Sequence, residues 1–185
     1  MKKIRHTLLC LLVSSFFLPF AQAERADADK PTHIEADQMV ADDVKQVTVF
    51  TGNVVMTKGT MRAKAAKVVV VQDPEGYQYA TLYAEKGKLV FLREKQDGGD
   101  DLWTEGYGER VEYDGKKEIV EFFVRANLKR IDGKVVTDDV KGEYIFYDSK
   151  SEFYRVHNTK QGVSSPSAGR VRAVMQPRNE KRPSK

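Results

Sequence analysis

One stretch limits what this chain can become: Val47-Thr48-Val49-Phe50-Thr51-Gly52-Asn53-Val54-Val55-Met56-Thr57-Lys58-Gly59-Thr60-Met61-Arg62-Ala63. Its side chains alternate. Val47, Val49 and Thr51 fall on one side, and Thr48, Phe50 and Gly52 on the other. A two-residue period is that of a β-strand with one face buried. Val120 to Gly133 repeats the stretch with a shift of 74 residues, setting Asn127 on Asn53, Val124 on Phe50 and Gly133 on Gly59. Two copies are too few to stack into a solenoid, so they read as two halves of one sheet-built domain. The second copy has Ala126 where the first has Gly52, and alanine disfavours the positive φ of a glycine-first hairpin turn. Both copies are therefore expected to bend inside a continuing strand, at a kink or bulge.

The rest of the chain keeps the same grammar. Thr32 to Asp37 reads as a first strand with Ile34 on its buried face. Further β runs fall at Lys64–Val71, Tyr79–Ala84, Leu89–Arg93, Leu102–Thr104, Tyr107–Tyr113, Glu118–Val124, Leu128–Ile131, Val140–Tyr147 and Glu152–Val156. Turn residues separate them at Asp42-Asp43, Asp73-Pro74-Glu75-Gly76, Gln96 to Asp101, Asp114-Gly115, Asp132-Gly133 and Asp148-Ser149. Many short strands and no helical window make the fold all-β. Such strands bury one face against a second sheet or close into a barrel. In this register Phe50, Phe91, Phe122, Val124, Ile145 and Tyr147 share a face. That face fits a filled sandwich core, and it fits a core left open as an apolar groove. Periodicity does not separate the two.

Residues 1–23 read as a secretory signal peptide. Lys2, Lys3 and Arg5 precede a short apolar run from Thr7 to Phe20, and Ala21-Gln22-Ala23 is a small-x-small cleavage site. The formal charge of +4 is carried by that segment and by the tail. The tail from Ser164 holds six basic residues and one acid, which leaves the body 24–163 at −4. A basic pI is thus no argument for nucleic-acid binding. The one cysteine, Cys10, lies in the apolar run, so the exported chain has no disulfide, thiol nucleophile or cysteine ligand. The expected division is a signal peptide 1–23, a mobile segment 24–31, a β domain 32–163 and a basic, disordered tail 164–185.

Catalytic chemistry is largely excluded. His33 and His157 sit in no metal-ligand spacing, so no metal and no cofactor are expected. Asp42-Asp43, Asp100-Asp101 and Asp138-Asp139 are adjacent carboxylates that read as turns. Neighbours on a strand face opposite ways and make poor acid–base pairs. No nucleophile elbow or phosphate loop occurs. The chain is not expected to be an enzyme.

Several runs carry a family resemblance: Pro31-Thr32-His33-Ile34-Glu35-Ala36-Asp37, Phe50-Thr51-Gly52-Asn53-Val54, Gly59-Thr60-Met61, Lys67-Val68-Val69-Val70 and Val140-Lys141-Gly142-Glu143-Tyr144-Ile145-Phe146-Tyr147. In this order, over 31–157, the chain resembles the LptA family of periplasmic lipopolysaccharide-transport proteins, built on an OstA-like domain. Ala66 and Ala126 depart from its pattern, as does the long basic tail.

The resemblance implies a slightly open β-jelly roll of two packed antiparallel sheets with a hydrophobic groove. It implies a periplasmic bridge or chaperone that carries lipopolysaccharide from the inner to the outer membrane. An acyl chain of about a dozen methylenes, at ~0.8 kcal/mol each, costs roughly 10 kcal/mol in water. The groove would be lined by Ile34, Phe50, Val54, Met56, Met61, Phe91, Phe122, Val124, Leu128 and Ile145. The methionines would suit a ligand of variable shape. Unpaired edges invite strand addition. The N-terminal edge, with Thr32, Ile34 and Ala36, would meet an LptC-like inner-membrane protein. The C-terminal edge, with Phe153 and Arg155, would meet an LptD-like outer-membrane protein. Copies would join head to tail into a homo-oligomer. The competing reading is a periplasmic β-sandwich with a filled core that binds protein or glycan.

Overall fold

Alternation along the chain becomes a continuous antiparallel ladder in the computed structural model, which describes residues 30–99 and 101–177. The segment read as a signal peptide, residues 24–29 and the last basic residues of the tail lie outside the described residues. The elements are β1 (Thr32–Glu35), β2 (Gln38–Asp42), β3 (Val47–Lys58), β4 (Met61–Gln72), β5 (Gln78–Tyr83) and β6 (Val90–Lys95). They continue with β7 (Leu102–Gly108), β8 (Arg110–Asp114), β9 (Ile119–Asp132), β10 (Val135–Asp148), β11 (Phe153–His157) and β12 (Arg172–Met175). The described residues contain no helix.

Four long strands, β3, β4, β9 and β10, each run through two layers. The first layer has the order β1-β3-β4-β6-β7-β9-β10-β12. The second has the order β2-β3-β4-β5-β8-β9-β10-β11. The inner faces of both meet in one apolar cluster, which includes Val54, Met56, Leu92 and Leu128 from the first layer and Val68, Leu82, Phe122 and Ile145 from the second. This is the expected jelly roll: two packed antiparallel sheets that share their longest strands.

The bends sit where the strands change layer. In β3, Gly52 and Asn53 have φ of 81° and 46°, and the ladder to β4 shifts between Thr51 and Val54. In β9 the bend falls at Val124 and Arg125, with φ of 62° and 53°. Both are kinks inside continuing strands. The two bends lie 72 residues apart, however, with Phe122 matching Phe50 and Ala126 matching Val54. The turn glycines Gly59 and Gly133 are 74 apart because β9 runs further past its bend than β3 does.

The two bends differ chemically. A Cβ on Gly52 would lie 2.2 Å from Asp37 Oδ2, so glycine is required there by space as well as by φ. The same Asp37 donates its N–H to Gly52 O at 3.0 Å and accepts from Asn53 Nδ2 at 2.9 Å. At the second bend Arg125 holds the turn instead. Its Nε donates to Glu109 Oε1 at 2.8 Å, and its Nη2 donates to Lys88 O at 3.0 Å. Val124 is left in a left-handed conformation that a β-branched residue adopts at a cost. Val124→Asn is therefore expected to raise stability by about 1 kcal/mol, read as an upward shift of the urea midpoint. A fall in the midpoint would show that Val124 is not strained.

Several expectations change. Phe91 is not on the inner face. Val90 and Leu92 are buried on either side of it, and Phe91 meets Tyr107 on the outside, the ring centres 5.5 Å apart and tilted by 54°. Val124 sits at the kink and outside the apolar cluster. Asp138-Asp139 is not a turn but lies within β10, with Asp138 opposite Arg130 and Asp139 opposite Lys129. β2 was not anticipated. Residues 164–185 are not wholly a disordered tail, because Arg172–Met175 pair with Asp138–Lys141 as β12.

Candidate functional site

Inward positions of the first layer line up in rows across the strands. Ile34, Met56, Ala63, Leu92, Gly106 and Leu128 form one row through their pairings. The row nearer the hairpin turns is more polar and includes Thr32, Lys58, Met61, Glu94, Thr104 and Arg130. The second layer sets Val70, Ala80, Tyr113, Val120, Tyr147 and Tyr154 in a matching row. The interior is thus apolar toward the bends and amphipathic toward the rim.

A cleft of about 260 Å³, counted out to its mouth, opens between the layers beside β1. Met56, Met61, Val70 and Ala80 make its apolar floor, and Thr32, Gln78 and Tyr113 its polar rim. Lys58 Nζ lies 5.9 Å from the centre of the Tyr113 ring, across the mouth. Most of this is open to solvent, and the enclosed room at its floor is about 10 Å³, space for no more than one water molecule.

Beyond the cleft the layers touch. A Cβ on Gly106 in β7 would lie 2.0 Å from Phe122 Cζ in β9. Phe122, Leu82, Leu92, Leu128 and Ile145 are all fully buried. Further toward the rim, Gln96 Nε2 donates to the Tyr147 hydroxyl at 2.9 Å, joining β10 to the segment after β6. Burial, then the Glu94 carboxylate, holds the Tyr147 phenol well above its ordinary range.

The sequence-predicted groove residues therefore divide. Met56 and Met61 line the cleft, and Ile34 and Phe50 pack half-buried against the cluster. Val54, Phe122, Leu128 and Ile145 lie in the closed core. Phe91 and Val124 do not join them. Tyr113, Gln78 and Val70 were missed; Val70 lies in a run of four valines whose alternation carries no polar marker.

Titration of the tyrosines gives a measurable consequence. Tyr113 is pushed up to about 12 by burial first, then by Glu118, Glu94 and Asp114. Tyr107 is pushed up to about 12 by burial and by its hydrogen bond to Glu105. A raised folded value keeps the phenol protonated in the fold. Their contribution is complete below pH about 10, where both states are neutral, and is lost as pH rises toward about 12. Urea midpoints are expected to fall over that window. Tyr113→Phe should flatten the fall; an unchanged slope would remove Tyr113 from the account.

Both sides of the sandwich end in unpaired strands. β1 and β2 form the N-terminal edge, β11 and β12 the C-terminal edge. Thr32, Ile34 and Ala36 lie in or just after β1, with Ile34 and Ala36 packed inward. Phe153 and Arg155 point outward from β11, whereas Tyr154 and Val156 pack inward. Among the described residues no group of three or more His, Cys, Asp or Glu could hold a metal, and no helix is long and apolar enough to cross a membrane.

Fold and site together define a two-layered β-jelly roll, open at both edges, with an apolar interior and a cleft beside its first strand. The family described as LptA/(LptD N-terminal domain) LPS transport protein matches residues 33–153. The lipopolysaccharide export system protein LptA of Escherichia coli K12 is 33% identical over 157 residues, covering 85% of this chain and 77% of that protein. LptA of Haemophilus influenzae is 30% identical over 166 residues, covering 89% and 92%. The crystal structure of LptH from Pseudomonas aeruginosa superposes with a TM-score of 0.70 at 24% identity, over 82% of this chain and 99% of that one. The chain belongs to the LptA/(LptD N-terminal domain) family of lipopolysaccharide transport proteins. Its relatives are transport proteins and not enzymes, in agreement with the expectation from the carboxylates and histidines.

Proposed function

We propose that this chain works in the periplasm, shielding the acyl chains of lipopolysaccharide on their way to the outer membrane. The observation that carries the reading is an apolar inner face that runs unbroken from one unpaired edge to the other. Ile34, Phe50, Val54, Met56, Met61, Phe122, Leu128 and Ile145 are the proposed lining. The first part of a chain enters at the cleft beside β1 as its walls part, at ~0.8 kcal/mol per buried methylene. Passage beyond Gly106 and Phe122 requires the layers to separate.

The edges carry exposed apolar residues: Met39 and Val40 on β2, and Phe153, Val174 and Met175 on β11 and β12. Exposed edges of this kind take up a partner strand. In this reading the N-terminal edge docks an LptC-like inner-membrane protein and the C-terminal edge an LptD-like outer-membrane protein. Copies join head to tail, inner face to inner face.

The closed contact at Phe122 favours a second reading, a filled sandwich that acts through its edges alone. Photo-crosslinking separates them. Probes at Met61 and at Phe122 are both expected to capture lipopolysaccharide. Capture at neither position would leave the filled-core reading standing and the conduit reading refuted.

A further inference from the structure

The outer faces of the two layers differ in charge. On the first layer, pairing aligns Arg62, Arg93, Glu105, Lys129, Asp139 and Val174 in one outward row. The next row holds Lys64, Phe91, Tyr107, Asn127, Lys141 and Arg172. The alternate residues Ala63, Leu92, Leu128 and Val140 are buried, which fixes these rows on the outside. Lys95 adds a further cation beside Trp103. The outward rows of the second layer present Glu112, Asp114, Glu121 and Asp148 against Lys67, Arg110 and Arg155. A body with a net charge of −4 between 24 and 163 thus keeps one basic face.

The rings on the basic face lie under cations: Arg93 sits 4.1 Å over Trp103 and Lys129 5.5 Å over Tyr107. Of the cations, Arg93 and Lys141 face carboxylates, at 3.4 Å and 3.5 Å. Arg62, Lys64 and Arg172 are exposed and make no ion pair among the described residues. The rows cross from β4 to β12, five strand spacings or about 24 Å. That is too wide for one phosphate and suits a flat array of them. Exposed apolar side chains border it: Val136 at 39%, Val174 at 59%, and Val135 at the adjoining turn. Cations beside exposed apolar groups are the pattern of a surface that rests on anionic headgroups.

We infer that the outer face of the first layer docks on the surface of an anionic phospholipid bilayer. The second layer, whose outward charges nearly cancel, then faces away. This docking does not depend on the interior carrying a lipid.

The test is flotation of the purified chain with phosphatidylcholine vesicles, with and without phosphatidylglycerol, at low and high salt. Binding is expected only with phosphatidylglycerol, and is expected to fall with salt. Lys64→Gln with Lys141→Gln should lower the partition coefficient by about 25-fold, counting roughly fivefold for each cation lost at an anionic surface, with the same melting behaviour as the parent. The reversed pair Lys64→Glu with Lys141→Glu should give a larger loss, since each site then repels the anionic surface. Lys45→Glu with Lys67→Glu, away from this face, should bind as the parent does. Equal loss in that control pair, or no loss in the first, overturns the inference. So does capture of soluble dextran sulfate by a chain that ignores the vesicles, since the face would then read a polyanion and not a membrane.

Discussion

Gly106→Ala is expected to destabilise the fold by roughly 3 kcal/mol, the upper part of the range for overfilling a packed core. The new Cβ would stand 2.0 Å from Phe122 Cζ and 2.3 Å from its Cε1. The ring cannot swing aside, because Phe122 is fully buried among Leu82, Leu92, Leu128 and Ile145. Adding Phe122→Leu shortens the intruding side chain and should recover most of the loss. The double-mutant cycle then yields a coupling of opposite sign to the single substitution. Urea denaturation measures all of it. If Gly106→Ala stays within about 0.5 kcal/mol of the parent, the range of an ordinary surface change, the layers do not meet at this point. The interior would then be an open trough, and the closed contact would not be a barrier that lipid has to part.

Most of the fold could be read from alternation and turn residues, because a half-buried strand declares its faces whenever polar and apolar residues take turns. Phe122, Ile145 and Tyr147 fall inward on that ground and are fully buried. Phe91 fails for a definite reason. Val90-Phe91-Leu92 is apolar throughout, and a one-residue slip reverses every face. The second kink was hidden for another. Gly52 marks the first because Asp37 crowds it, whereas the second has Val124 and Arg125, secured by Glu109 and two carbonyls from the distant Gly87-Lys88 turn. No local residue type announces that arrangement. β12 escaped as well, since Arg172-Ala173-Val174-Met175 takes its order from β10 and lies among turn residues and cations. The cleft was half legible. Its methionines come from the repeat, but Tyr113 and Gln78 reach it only because the layers fold together.

Ile34→Asp is expected to weaken lipid loading and N-terminal docking together, each by about tenfold, while the chain still folds. Ile34 pairs with Met56, whose side chain floors the cleft, and it packs half-buried against the apolar cluster. A carboxylate there stands at the mouth of an apolar path, where an unpaired charge costs more than 1.4 kcal/mol, the energy of a tenfold change. It remains close enough to solvent to be hydrated, so the loss in folding is smaller than for a charge at Phe122. His33 supplies the control. It lies on the same edge strand but faces outward. His33→Asp keeps the interior apolar and alters only the outer side of the edge. It should load lipid normally, and any loss it shows should be confined to docking. Ile34→Val, which keeps shape and polarity, should match the parent in both assays. Lipid loading by photo-crosslinking at Met61, and docking to an LptC-like partner by titration, read the two effects separately. An Ile34→Asp chain that loads and docks normally would detach β1 from both the cleft and the interface.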